Sequence, residues 1–381
     1  MDLNKEIESF LTNKGALSVG FANKDTLAGG PPSSDITYKL PDAKSAICFS
    51  IPLDHDKIRG FLRKDLPHGR SDHEKDNIGT FLRTWNISKD LTAFLQEKGF
   101  KAVPFVPNNK YRKEIPGWQF KMHPEISLRY VAVRSGAASF GWSGNVGIKN
   151  WGTAISLGGL VTSAELEPTD PIPSEDSFCD NCKLCERVCS FKMFSRDEET
   201  TITLGETTFS HAKRINLFRC LLTCGGFNGL HKSRKWSTWS PARHDYPEND
   251  EEVQRLLTHA IPIKSKWPKR EDGSAGYKPA ASIGQNVQLT CGNCNIICWG
   301  DPKETAKNYN ILINSGCVLQ KENGEIIVLP AEEAEKTFKA MSPEHQSLYY
   351  KDFKRDMKKE KQALKSEQET YEEIREKLSS I

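Results

Sequence analysis

The stretch Cys179-Asp180-Asn181-Cys182-Lys183-Leu184-Cys185-Glu186-Arg187-Val188-Cys189 holds four of the eleven cysteines of a 381-residue chain. Four thiols so close together could form two disulfides, bind zinc, or carry an iron–sulfur cluster. The opening residues, MDLNKEIESFLTNKG, are acidic where a secretory leader would be basic, and no apolar run is long enough for a leader or a membrane span. The expected setting is therefore the cytoplasm, where thiols stay reduced and clustered cysteines point to metal. Spacings of two, two and three intervening residues are those of a bacterial [4Fe-4S] loop, in which the fourth cysteine commonly reaches across to a second cluster. Zinc sites rarely need four cysteines this close.

Cys291, Cys294 and Cys298 supply a matching group, and Cys220 or Cys224 in FRCLLTC lies between the two. Two cubanes need eight ligands. The assignment is Cys179, Cys182, Cys185 and Cys298 for one cluster, and Cys189, Cys220, Cys291 and Cys294 for the other. Cys220 is set ahead of Cys224, because Gly225-Gly226 after Cys224 could make that segment a bend with one free thiol. Ser190 and Trp299 stand where a proline usually follows the last cysteine of each group; that proline shapes the turn and is not a ligand. Cys48 and Cys317, each alone among apolar residues, read as core cysteines.

The elements that must position these thiols are those of an ordinary globular chain, 37% hydrophobic and 27% charged. A formal net charge of +3 neither argues for nucleic acid nor excludes a tRNA. Residues 1–166 read as a unit of alternating helices and strands. Ala46 to Ile51 is a buried strand, and Trp85 to Lys98 has helical apolar spacing that stops at Gly99 before the strand KAVPFVP. A proline-rich crossing, 167–174, leads into a cysteine-rich unit, 167–310, whose polar stretch 232–281 reads as a long insertion. An extension, 311–381, ends in a charged helix on which Met357, Leu364, Tyr371 and Leu378 recur every seven residues. That seam suits a solvated helix packed on its own domain, with a homodimer contact as the alternative. Between Leu128 and Pro168 a short helix breaks into glycine-rich loops and returns in a sheet-forming run, AISLGGLVTSAEL. Glycines at this density allow close backbone approach to a large ligand.

Taken in order, Arg134-Ser135-Gly136, the loop Gly141-Trp142-Ser143-Gly144-Asn145-Val146-Gly147, Gly152-Thr153, the run Leu157 to Thr162 and the cysteine groups resemble the core of epoxyqueuosine reductases and reductive dehalogenases over roughly residues 40 to 300. The resemblance implies an α+β protein: a nitroreductase-like cobalamin-binding domain, then a ferredoxin-like domain with two [4Fe-4S] clusters, then the charged C-terminal helix. It implies base-off cobalamin held near Gly141, Gly144, Asn145, Gly147, Gly152, Thr153, Leu157, Gly158 and Thr162. In those families a basic residue commonly follows the second glycine of the loop, where this chain has Asn145. The acidic proton-donor signature of the epoxyqueuosine reductases is replaced by Lys121-Met122-His123-Pro124, which counts against that activity.

A proton donor is expected among His123, Tyr111 and Tyr130, with Lys121 and Arg129 able to lower a tyrosine pKa or hold an anion. Asp72-His73 reads as part of a charged surface loop. The expected function is that of a soluble, cytoplasmic cobalamin-dependent iron–sulfur reductase. A ferredoxin or flavodoxin would supply low-potential electrons, and cob(I)alamin would reduce a small organic molecule such as an organohalide. Epoxyqueuosine reduction on a tRNA and simple electron carriage are the alternatives.

Overall fold

The computed structural model describes residues 2–105, 110–215, 217–268 and 289–379. Its N-terminal part runs through α1 (Leu3–Asn13), β1 (Ser18–Asn23), β2 (Ser45–Pro52), α2 (His55–Arg63), α3 (Gly69–Glu97), β3 (Ala102–Pro104), α4 (Trp118–Lys121), α5 (Leu128–Arg134), β4 (Ser139–Phe140), β5 (Val146–Gly147) and β6 (Ile155–Thr162). Four of the strands form an antiparallel sheet in the order β1-β2-β6-β3. Period-two alternation along β2 explains the layers: Ala46 and Cys48 face a core shared with Leu128, Val131 and Ala132 of α5. Ile47, Phe49 and Ile51 face a core shared with α1 and α3. Each such buried aliphatic or aromatic side chain contributes about 1.5–3 kcal/mol.

The expected buried strand is thus β2, and the run AISLGGLVT is β6, between β2 and β3. The strand KAVPFVP is seen as β3, its Val106 and Pro107 lying outside the described residues. The helix expected from Trp85 begins at Gly69, so Asp72-His73 is not on a surface loop. Charged residues hide the periodicity there because some face inward: His73 is buried edge-on against Phe61 at 4.9 Å, and Arg70 pairs with Glu74 at 2.9 Å one turn on.

The chain continues through α6 (Leu184–Arg187), β7 (Phe194–Leu204), β8 (Thr207–Arg214), α7 (Leu217–Cys224), α8 (Asp250–Lys264), α9 (Asn293–Ile296), α10 (Pro302–Ile313), β9 (Cys317–Gln320), β10 (Ile326–Leu329), α11 (Ala331–Ala340), α12 (Pro343–Ser347) and α13 (Phe353–Ser379). The stretch from residue 232 is not a polar insertion at its start. Trp236, Trp239 and Ala242 are buried there, and the Trp239 indole donates to the Phe61 carbonyl at 3.0 Å. Residues 269–281 of that stretch lie outside the described residues.

One core joins Leu53, Ile58 and Phe61 to Val188, Trp236, Trp239, Trp299 and Val318, so packing crosses both residue 166 and residue 310. Cys48 and Cys317 are buried, as expected for core cysteines. On α13, Leu364 is 63% exposed. The side chains of Met357, Tyr371 and Leu378 lie outside the described residues. Among the described residues no helix is long and apolar enough to cross a membrane.

Candidate metal centre

The first cysteine loop is bent by two residues in the left-handed region, Asn181 (φ 58°) and Lys183 (φ 56°). The bend brings the Leu184 amide near Cys182 and the Glu186 amide near Cys185, where each lowers the thiol pKa, while the Glu186 amide bonds the Lys183 carbonyl at 3.1 Å. The Trp142 amide donates to Cys179 Sγ at 3.3 Å. Cys298 arrives from the loop after α9 and lies beside the Gly300 and Thr153 amides, the latter bonded to its carbonyl. Cys179, Cys182 and Cys298 all stand within electrostatic reach of Cys185. Burial, then these neighbours, pushes the Cys185 thiol up to about 12; Cys182 rises to about 11, chiefly through burial.

The second set forms where α7 meets the end of the first loop and the start of α9. Cys189, Cys220 and Cys291 surround Cys294, and burial is the main cause of its raised pKa. The Met193 amide donates to Cys189 Sγ at 3.3 Å, and Asn145 Nδ2 to Cys294 Sγ at 3.8 Å. Both Cys220 and Cys224 are present, one helical turn apart on α7, with sulfurs 3.5 Å from each other. Hydrogen bonds that the Cys224 thiol shares with Cys220 and Cys291 push its pKa up and draw theirs down. Arg214, at the end of β8, lies within electrostatic reach of Cys220 and Cys294. The structure therefore brings all eight expected ligands into the two expected sets and adds a ninth thiol to the second.

These sets suit iron–sulfur clusters. Crowded, largely half-buried thiols cannot all ionise unless compensating positive charge arrives, which a metal centre supplies. Two buried donors beside the cysteines, Trp142 Nε1 and Asn293 Nδ2, have no protein acceptor, and cluster sulfides would provide one. Among the described residues no group of His, Cys, Asp or Glu is gathered as a single metal ion requires. A cubane is less demanding in this respect, because it binds each thiolate to a different iron. The Trp142 amide bonds Cys179, and Trp142 packs against the cluster of Met193, Phe194 and Ala212, which Cys189, Cys220 and Cys294 also border.

The glycine loops are built differently from an open cradle. A side chain at Gly141 would strike the Phe178 ring, and one at Gly144 (φ +70°) would meet the His211 ring at 2.8 Å. Gly147 backs onto the Gly152 carbonyl, Gly152 (φ +52°) onto the Cys298 carbonyl and the Gly300 amide, and Gly158 onto the Phe49 ring. Thr153 donates its amide to the Cys298 carbonyl at 3.0 Å and its hydroxyl to the Asn295 carbonyl. Leu157 packs in the core beside α5, and Thr162 bonds the Lys101 carbonyl at 2.9 Å. These residues hold the cysteine loops and the sheet, and a side chain at any of these glycines would meet the chain's own atoms.

The β7–β8 hairpin covers the loop from outside. The Ala212 amide donates to the Trp142 carbonyl at 2.8 Å, and Arg214 donates to the Ser143 carbonyl and to Asn145 Oδ1, both at 3.0 Å. From beneath, Arg129 donates to the Gly144 carbonyl at 2.9 Å. Sequence reasoning missed His211 and Arg214. Alternating residues in FSRDEETTITLGETTFSHAKR were the available signal for a hairpin.

Of the expected proton donors, Tyr111 and His123 lie on one short bridge, where Tyr111 pairs with Pro124 and Arg112 donates to the His123 carbonyl at 2.9 Å. Partial burial, then Lys121 and Arg112, lowers the His123 pKa. Tyr130 belongs to α5, packs against its core and bonds Arg129.

No protein-family model matches the sequence, and no curated protein matches it. Neighbours among solved structures include epoxyqueuosine reductases and reductive dehalogenases. A selenomethionine-labelled epoxyqueuosine reductase is 14% identical over 82% of each chain, with a TM-score of 0.41. The epoxyqueuosine reductase from Streptococcus thermophilus is 14% identical over 91% of this chain and 74% of its own, with a TM-score of 0.39. A reductive dehalogenase whose structure suggests a mechanism for B12-dependent dehalogenation is 13% identical over 76% of this chain and 41% of its own, with a TM-score of 0.44.

Proposed function

We propose that this chain is an oxidoreductase that passes electrons through two [4Fe-4S] clusters to a cobalamin-dependent reduction of a small organic substrate. The observation that carries the electron-transfer part is the gathering of Cys179, Cys182, Cys185 and Cys298 in one set and of Cys189, Cys220, Cys291 and Cys294 in the other. Backbone amides and Asn145 donate to these sulfurs, and such bonds stabilise thiolates and set cluster potentials. Trp142 adjoins the first set through its amide bond to Cys179, and it borders the same Met193, Phe194 and Ala212 cluster as Cys189, Cys220 and Cys294. Cobalamin enters through the order of the sequence motifs, and base-off cobalamin would supply the strongly reducing centre. A ferredoxin or flavodoxin is the proposed electron source.

A second reading, an electron carrier without cobalamin, is favoured by the covered glycine loop, since His211 and Cys298 occupy the space beside Gly144 and Gly152. One experiment separates the two. Anaerobically purified protein is assayed for iron and for its absorbance spectrum, before and after incubation with cobalamin and removal of the unbound corrinoid. About eight iron atoms per chain with retained corrinoid is the expected result. Eight iron without corrinoid leaves the carrier, and zinc in place of iron removes both readings.

A further inference from the structure

A cavity of about 500 Å³ is lined by the residues directly after the fourth cysteine of the first loop. Its wall begins at Ser190-Phe191-Lys192 and includes Arg219, Lys232, Arg234 and Arg243, five cations in all counting Lys192, against the carboxylates of Asp245 and Glu248. Asp245 is already paired with Arg234 at 3.1 Å. His231 and His244 also line it, and burial holds both at about 4, so they are neutral near pH 7.

Arg243 is the informative residue. Its side chain is only 7% exposed, and its ion pair with Glu335, at 3.4 Å, uses Nη1. The buried Nε and Nη2 atoms of the same guanidinium have no protein acceptor, and neither does the buried Nε of Arg219. Leaving charged donors buried without acceptors costs more than leaving neutral ones, so a native protein normally supplies a partner. Lys232 stands exposed at the rim, where partial desolvation and then the cations Lys192 and Arg196 lower its pKa. Phe191 and Tyr246, with ring centroids 4.5 Å apart, give the cavity an apolar side.

We propose that this cavity is a binding site for a small molecule that enters carboxylate- or phosphate-first, with Arg243 as its buried anchor and Lys232 at its rim. The volume is that of a metabolite-sized site, and a planar guanidinium with two donors that lack a protein acceptor matches an oxyanion. The site adjoins the second cysteine set, since Tyr246 and Lys232 both lie within electrostatic reach of Cys189. A concave wall with a buried arginine favours a small anion over the flat acidic face of a protein.

The test is calorimetric titration of the anaerobically purified full-length protein with inorganic phosphate and, separately, with malonate. The expected result is saturable binding of at least one probe with a dissociation constant below about 1 mM. Arg243→Gln and Lys232→Gln should each weaken it about tenfold or more at unchanged iron content. Lys232 is exposed, so its variant carries the test if Arg243→Gln fails to fold. The preference between phosphate and malonate identifies which oxyanion the ligand carries. No saturable binding of either probe, or binding untouched by Lys232→Gln and by any folded Arg243→Gln, overturns the proposal. So does a result in which the variants weaken only the binding of an acidic ferredoxin. Iron content is read separately, so loss of the clusters and loss of the anion site are distinguishable.

Discussion

Cys224 shows what a single residue adds to the site. Spacing alone left Cys220 and Cys224 as alternatives for the eighth ligand, because one helical turn brings both to the same face of α7. The structure gives them different surroundings: Cys220 stands within electrostatic reach of Cys189, Cys291 and Cys294, whereas Cys224 is paired with Cys220 and Cys291. Cys220→Ser should therefore cost about half of the iron and the signal of the second cluster, whereas Cys224→Ser should keep both clusters. Iron analysis with low-temperature EPR decides this, and equal losses in the two variants would sink the distinction. The other thiols lead to a pH prediction. Cys182 and Cys185 rise to about 11 and 12 through burial, from about 8.5 in an unfolded chain. Their folded forms hold protons that the unfolded chain releases, so the stability they contribute to metal-free protein is intact below about pH 8.5 and is lost as pH rises toward about 12. The urea midpoint of metal-free protein should fall between about pH 8 and 10.5, and fall less in Cys185→Ser. A midpoint that does not move with pH, or moves equally in the variant, would show that these thiols titrate normally.

At the scale of elements, the sequence was readable where one face of an element is apolar and hard to read where charged groups turn inward. β2, β6 and α5 follow from apolar runs and spacing, and they were recognised as such. The first four turns of α3 were not, because Arg70 and His73 occupy its buried face. The glycine loop was found, but its partner could not be known from sequence, since glycine records close approach without recording to what. The answer, that Gly152 presses on the Cys298 backbone, changes the expected outcome of a substitution. Gly152→Val places a branched side chain at a positive φ and against the carbonyl of a ligand loop. It should lower iron by about half, with loss of the cluster held by Cys179, Cys182, Cys185 and Cys298. A variant with full iron and intact spectra for both clusters would show that this contact is dispensable.

At the scale of the whole molecule, the proline-rich crossing at 167–174 looked like a linker because prolines and polar residues dominate it. In the structure it is tied to the sheet: Thr169 donates its amide to the Phe21 carbonyl at 2.9 Å, and its hydroxyl bonds the Ser135 carbonyl at 2.5 Å. The core under the cysteine loops is assembled from α2, the segment around Trp236 and Trp239, α10 and β9. No local pattern can announce contacts between residues 61 and 239, so a boundary read from composition does not show the packing that crosses it. Trp239 probes this arrangement, because it is 3% exposed and its indole is bonded to Phe61 of α2. Trp239→Ala should destabilise the protein by about 3–5 kcal/mol, through lost burial, an unfilled cavity and an unpaired carbonyl. Because the core is shared, the loss should appear in the sheet as well as in the cysteine region. Hydrogen exchange of metal-free protein would then show the amides of β2 and of the cysteine region losing protection together. Protection lost near the cysteines and retained in β2 would mean that the two regions unfold independently, and that the shared core does not couple them.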